Sequence, residues 1–124
     1  MRTQRQLRVG EEIRHALAAV LQRGDVPWAG EFRPSFITVT EVQVSPDLKN
    51  ASVFVMPLGG QNMPATIKAL NAIVGFFRHE LSQAIKMRYV PKLLFKPDNS
   101  FDYAHRIESL LHDPSVAKDL TRDE

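Results

Sequence analysis

The sequence predicts an α+β domain of order α-β-β-α-α-β, one three-stranded sheet with helices on one face, followed by a short further helix. Three observations carry this expectation. An apolar stripe at helical spacing (Ile13, Leu17, Val20, Leu21) opens the chain. Two runs rich in β-branched residues follow, separated by a segment of turn chemistry. A pair of helical stripes, interrupted at Gly75, then leads into a run that alternates at period two.

The first helix extends from about Gln4 to Gln22, with Val9 one turn before the stripe and Gly24 after its last turn. Arg5, Arg8 and Arg14 lie off that stripe. GDVPWAGEFRP is punctuated by Pro and Gly and reads as a loop, packed down by Trp28 and Phe32. Phe36 to Val44 forms the first strand and Ala51 to Met56 the second. Between them SPDLKN sets Pro46 beside Asp47, so the strands pair as an antiparallel hairpin whose turn is fixed by Ser45 and Asp47. Neither strand alternates cleanly, which predicts partial burial on both faces. Asn62 is placed to cap the next helix, and Pro64 suits its first turn. Ile67, Leu70 and Val74 stripe the second helix; Phe77, Leu81, Ala84 and Ile85 stripe the third, which Pro91 ends. Leu93 and Phe95 face inward on the third strand, with Lys92, Leu94 and Lys96 on its other face. Tyr103 to Leu111 reads as a last helix. The domain accordingly spans residues 1–112, and residues 113–124 form a polar, acidic, flexible tail.

The chain has 124 residues, 44% of them hydrophobic and 24% charged, the profile of one soluble domain with a single core. With no Cys, disulfides and thiol chemistry are excluded, in keeping with a cytoplasmic protein. No apolar run approaches the length of a membrane span. Arg2, Arg5 and Arg8 are followed by Glu11 and Glu12 rather than by an apolar block, unlike a secretory signal. The net charge of +2 hides an asymmetry. Through Pro97 there are thirteen Lys and Arg against seven Asp and Glu; from Asp98 onward three face seven. A basic body with an acidic end points to an anionic partner for the body.

Catalytic patterns are missing. His15, His79, His105 and His112 are scattered, with no HExxH and no second ligand at metal spacing. No Ser sits in a GxSxG elbow, and Gly59–Gly60 lacks the Gly-Lys-Ser/Thr of a phosphate loop. The expectation is a protein that is not an enzyme and carries no metal or cofactor.

The basic residues are more informative. On the third helix Arg78, Ser82 and Lys86 recur at i, i+4 and i+8, with Arg88 and Lys92 close behind and Lys68 on the second helix. This stripe starts beside Gly75, in a run that otherwise reads as helix, where a Gly costs about 1 kcal/mol relative to Ala. A helix N-terminus offers unpaired N–H groups to an anion, and a Gly there lets a phosphate approach closely. Helix, Gly turn and helix beside a sheet is the layout in which a KH module clamps a single-stranded nucleic-acid backbone.

ITVTEVQVSPDLKNASVFV (Ile37–Val55) and GFFRHELSQAIKMRYVPKLLFKPDNS (Gly75–Ser100) resemble the ribosome-binding factor A family, and QRQLRVGEEIRHALAAVLQ resembles that family's first helix more loosely. The resemblance runs from about Arg5 to Leu111. It implies a KH-like type II fold and a non-enzymatic assembly factor that binds small-subunit ribosomal RNA during late maturation, with a part in 16S rRNA processing and in growth in the cold. The implied partner is the small ribosomal subunit, met by a monomer. The family replaces the KH Gly-x-x-Gly loop with an interhelical kink, commonly Ala-x-Gly, which here reads Ile73-Val74-Gly75. The expected RNA contacts are Gly75, Phe76, Arg78, Lys86 and Arg88, with Lys68, Arg5, Arg8 and Arg14 as an outer ring. The acidic tail reads as a solvated end, with competition against RNA for this surface as the alternative. The competing expectation is an α+β protein-interaction or small-ligand module without nucleic-acid binding.

Overall fold

A computed structural model describes residues 2–34 and 36–100. The expected last helix and acidic tail lie outside the described residues. Within them the elements are α1 (Gln4–Gln22), β1 (Ile37–Val44), β2 (Asn50–Pro57), a 3-10 turn (Leu58–Gly60), α2 (Met63–Ala72), α3 (Val74–Ala84) and β3 (Lys92–Pro97). This is the α-β-β-α-α-β order of the KH-like fold. The sheet order is β1-β2-β3, with β1 antiparallel and β3 parallel to β2.

Helix α1 starts with a capping box. Thr3 Oγ1 accepts from the Gln6 N–H at 3.1 Å, and the Thr3 N–H donates to Gln6 Oε1 at 2.8 Å. The Gln6 amide, itself buried, also donates to the Val44 carbonyl at 2.9 Å, so one side chain caps the helix and docks it on the end of β1. Gly10 is what lets α1 lie so close: a Cβ there would sit 2.6 Å from the Val42 carbonyl oxygen. Below this contact Ile13, Leu17 and Val20 enter the core with Val53, Val55, Leu70, Phe77, Leu81 and Phe95.

The irregular apolar pattern of the hairpin has a different cause from burial on both faces. In β1 the buried positions are Ile37 and Val39, then Val42 and Val44. The phase changes because the register slips between Val39 and Glu41, leaving Thr40 as an extra residue, its hydroxyl donating to the Phe54 carbonyl. In β2 burial alternates strictly at Ala51, Val53, Val55 and Pro57. Phe54 and Met56 blur the sequence pattern because they occupy the face away from the helices, where they are half-buried. The turn is held as expected: Ser45 Oγ donates to Asp47 Oδ1 at 2.6 Å and the Lys49 N–H to the same oxygen at 3.0 Å. These bonds hold the Asp47 carboxyl below its ordinary range, the Ser45 hydroxyl being the larger cause.

Three expectations for the helices are corrected. Asn62 stands at the N-cap of α2 but in a left-handed conformation (φ 55°), with no side-chain bond to the helix; Pro64 does lie in the first turn. The break between α2 and α3 is at Ile73 (φ −121°, ψ 33°), not at Gly75, which is the second residue of α3. Finally, α3 ends at Ala84 rather than at Pro91, because Ile85 turns extended (φ −125°, ψ 131°) and packs against the core. Residues 85–91 return the chain to β3, where the Lys92 N–H donates to the Lys49 carbonyl at 2.8 Å. Asn71 secures the outer edge of β3, accepting from the Phe95 N–H at 2.9 Å and donating to its carbonyl at 3.1 Å.

Candidate nucleic-acid interface

With α3 ending at Ala84, Lys86 and Arg88 leave the helical stripe and move to the loop before β3. Arg78 remains on α3, where its guanidinium has internal partners. Nε donates to the Pro91 carbonyl at 3.2 Å and a terminal nitrogen to the Val90 carbonyl at 3.0 Å. It staples the helix to the loop that carries Lys86 and Arg88. Ser82, on the same stripe, donates its hydroxyl to the His79 carbonyl at 2.6 Å.

Arg14 is likewise engaged, its guanidinium forking onto Glu11 at 2.8–3.2 Å. That fork holds the Glu11 carboxyl below its ordinary range. Phe76 is half-buried, its ring edge-on to Phe77 with centroids 5.2 Å apart, which is core packing. Gly75 is exposed in the first turn of α3, and a Cβ there would meet nothing within 4 Å. Lys68 on α2 and Arg8 on α1 are exposed.

Arg5, Lys86 and Arg88 come together in a cleft of about 320 Å³. It forms where the N-terminal half of α1, the β1–β2 turn and the α3–β3 loop meet. The cleft also brings in Lys49 and Tyr89. Four cations thus converge from three segments. Two acids, Glu12 and Asp47, lie among them, Asp47 already occupied by its turn. Tyr89 is 71% exposed, and the Arg88 guanidinium carbon stands 5.6 Å from its ring centroid. Leu48, beside it, has a left-handed backbone (φ 61°), an uncommon conformation for a side-chain-bearing residue.

Gly75 belongs to the other end of α3. Ala84 lies nine positions further along the helix, about 14 Å away. The expected contact surface therefore divides into two: a basic, aromatic cleft at one end, and an open glycine at a helix N-terminus at the other. Lys49 and Tyr89 were missed by sequence reasoning. Lys49 belongs to a turn whose chemistry explains itself, and Tyr89 fell inside an overextended helix. The alternation of basic and aromatic residues in IKMRYVP was the available signal.

Among the described residues no group of three or more His, Asp or Glu side chains could hold a metal, and no helix is long and apolar enough to cross a membrane. The sequence profile of the family described as ribosome-binding factor A matches residues 5–111. Ribosome-binding factor A of Paramagnetospirillum magneticum is 50% identical over 123 residues, covering 95% of this chain and 82% of its own. The crystal structure of ribosome-binding factor A from Thermus thermophilus matches with a TM-score of 0.63 at 25% identity, covering 74% of this chain and 94% of its own. A homology model of the Thermus thermophilus factor, fitted into the cryo-EM map of its 30S complex, matches with a TM-score of 0.59 at 26% identity, over 73% of this chain and 91% of its own. Sequence and fold agree along most of the chain, and the chain belongs to the ribosome-binding factor A family, whose members are non-catalytic.

Proposed function

We propose that this protein is an assembly factor that binds the ribosomal RNA of the small subunit during its late maturation, supporting 16S rRNA processing and growth in the cold. It acts as a monomer in the cytoplasm. The observation that carries the reading is the convergence of Arg5, Lys49, Lys86 and Arg88 around an open tyrosine. Phosphates are neutralised by such a cluster, and a stacking ring gives it preference for nucleic acid over other anions. Support also comes from the related Thermus thermophilus factor fitted into a 30S map.

Within this reading Lys86, Arg88 and Arg5 contact RNA directly, joined by Lys49. Gly75, with the exposed Lys68, forms a second contact at the start of α3, and the exposed Arg8 adds charge from α1. Arg78 and Phe76 hold the scaffold, while Arg14 is paired with Glu11 on its own helix. Sedimentation of cell lysate in low-magnesium sucrose gradients tests the reading. Migration with free small subunits is the expected result; protein confined to the top of the gradient refutes it. Four phosphate contacts give a log–log salt slope of roughly −3 on single-stranded RNA. An affinity insensitive to salt contradicts the proposed contacts. Slowed growth of a deletion strain in the cold, restored by the gene, tests the last part.

A further inference from the structure

We propose that the cleft between α1, the β1–β2 turn and the α3–β3 loop is a subsite for one unpaired nucleotide, its base stacked on Tyr89 and its flanking phosphates held by Lys49 and Lys86. The inference rests on the RNA-binding reading and adds to it a strand preference and a base contact.

Tyr89 is the starting point. A tyrosine exposed over 71% of its surface, between the half-buried Met87 and Val90, contributes little to the core. The Arg88 guanidinium lies over the ring at 5.6 Å, on one of its faces. With most of the residue exposed, ring surface remains open to a planar partner. Position is set from below: Arg78 fastens the carbonyls of Val90 and Pro91 to α3, so the loop carrying Tyr89 is anchored immediately after it. Across the cleft the turn bearing Lys49 is equally fixed, by the Ser45 hydroxyl and the Lys49 N–H on Asp47.

The cleft's dimensions and charges suit a nucleotide. About 320 Å³ is at the small end of ligand sites, enough for one base and its sugar and too small for a duplex. Lys49 comes to the lining from the β1–β2 turn, Lys86 from the α3–β3 loop and Arg5 from α1. Positive charge thus reaches the cleft from separate segments, as a backbone that enters and leaves requires. Glu12 and the Asp47 carboxylate, lining the same space, disfavour a lone multivalent anion such as free pyrophosphate and favour a base, which carries no charge of its own. A base can reach the ring only if it is unpaired, because the faces of paired bases are covered by their neighbours.

The test uses the full-length protein, a fluorescein-labelled single-stranded hexanucleotide and the same sequence annealed as a duplex, read by anisotropy at several salt concentrations. Wild type binds the single strand more tightly than the duplex. Tyr89→Ala weakens single-strand binding about 5- to 100-fold with an unchanged salt slope. Tyr89→Phe, which keeps the ring, restores affinity to within about twofold, a rescue that a structural role of the hydroxyl would not give. The double variant Lys49→Ala/Lys86→Ala flattens the salt slope by roughly 1.4 units. Tyr89→Ala that binds like wild type, or equal affinity for both strands, overturns the stacking subsite and leaves the RNA-binding reading standing. Wild type that binds neither strand and fails to sediment with small subunits overturns both.

Discussion

The same substitution, Gly to Ala, should act with opposite sign at two helical positions. At Gly10 the new Cβ would lie 2.6 Å from the Val42 carbonyl oxygen, a backbone atom in a paired strand that cannot rotate away. Relief to an ordinary contact of 3.4 Å requires α1 to lift by about 0.8 Å, enough to forfeit a quarter to a half of each dispersion contact it makes there. Ile13 and Leu17, fully buried beneath the helix, and the Gln6 bond to Val44 would all feel that shift. Overpacking of this kind costs about 1–3 kcal/mol, and roughly 1 kcal/mol returns from the helix propensity of Ala. Gly10→Ala is therefore expected to lose up to about 2 kcal/mol, or up to roughly 8 °C in melting temperature for a domain of this size. At Gly75 the added methyl meets nothing within 4 Å and the backbone is already helical, so Gly75→Ala gains about 0.5 kcal/mol. Urea and thermal unfolding by circular dichroism read both. A stabilising Gly10→Ala would refute the close α1–β1 approach, and a destabilising Gly75→Ala would refute the open helical geometry of Gly75. The pair also separates fold from function. If the open glycine receives a phosphate, Gly75→Ala raises the melting temperature while weakening RNA binding; unchanged affinity removes Gly75 from the interface.

Arg78→Ala strips the Val90 and Pro91 carbonyls of their donor and is expected to cost about 1–2 kcal/mol in urea unfolding. By the same reasoning it changes the salt slope of RNA binding less than Lys86→Ala does; a larger loss of slope from Arg78→Ala would return that side chain to the interface. Asp47, with its carboxyl held low by Ser45 and the Lys49 N–H, favours the folded state above its unfolded pKa, and that contribution disappears as pH falls through the lower folded value. Ser45→Ala removes the larger cause, so stability measured between about pH 5 and pH 2 should fall less steeply than in wild type; an identical pH profile would contradict the role given to the turn.

The element order was legible because each signal is local. Ile13, Leu17 and Val20 recur at helical spacing and all reach the core; Leu93 and Phe95 alternate and both face inward. Where local signals conflicted with a distant contact, the sequence misled. The stripe Phe77, Leu81, Ala84, Ile85 continues past Ala84 on paper, yet Ile85 is drawn out of the helix to pack on the core. Gly75 looks like the hinge because Gly is the usual breaker, but the chain turns two residues earlier, at Ile73. The apolar irregularity of β1 is a bulge at Thr40, and a bulge is defined by the partner strand.

The candidate site divides the same way. Its basic character, its lack of metal-ligand spacing and its family resemblance were all present in the chain as written. Which cations share a cleft was not. Lys49 and Lys86 are far apart in sequence, and only the parallel pairing of β3 with β2, begun by the Lys92 bond to Lys49, brings their loops together. Arg78 and Lys86 look equivalent on a helical wheel, but one faces carbonyls of a returning loop and the other faces the cleft. Periodicity thus determined the kinds of element, their order and their inward faces, because those depend on neighbours within a turn or two. The tertiary structure alone decided where α3 stops, which glycine is indispensable and which charges stay available to a ligand, because each of these depends on an atom brought near from a distant part of the chain.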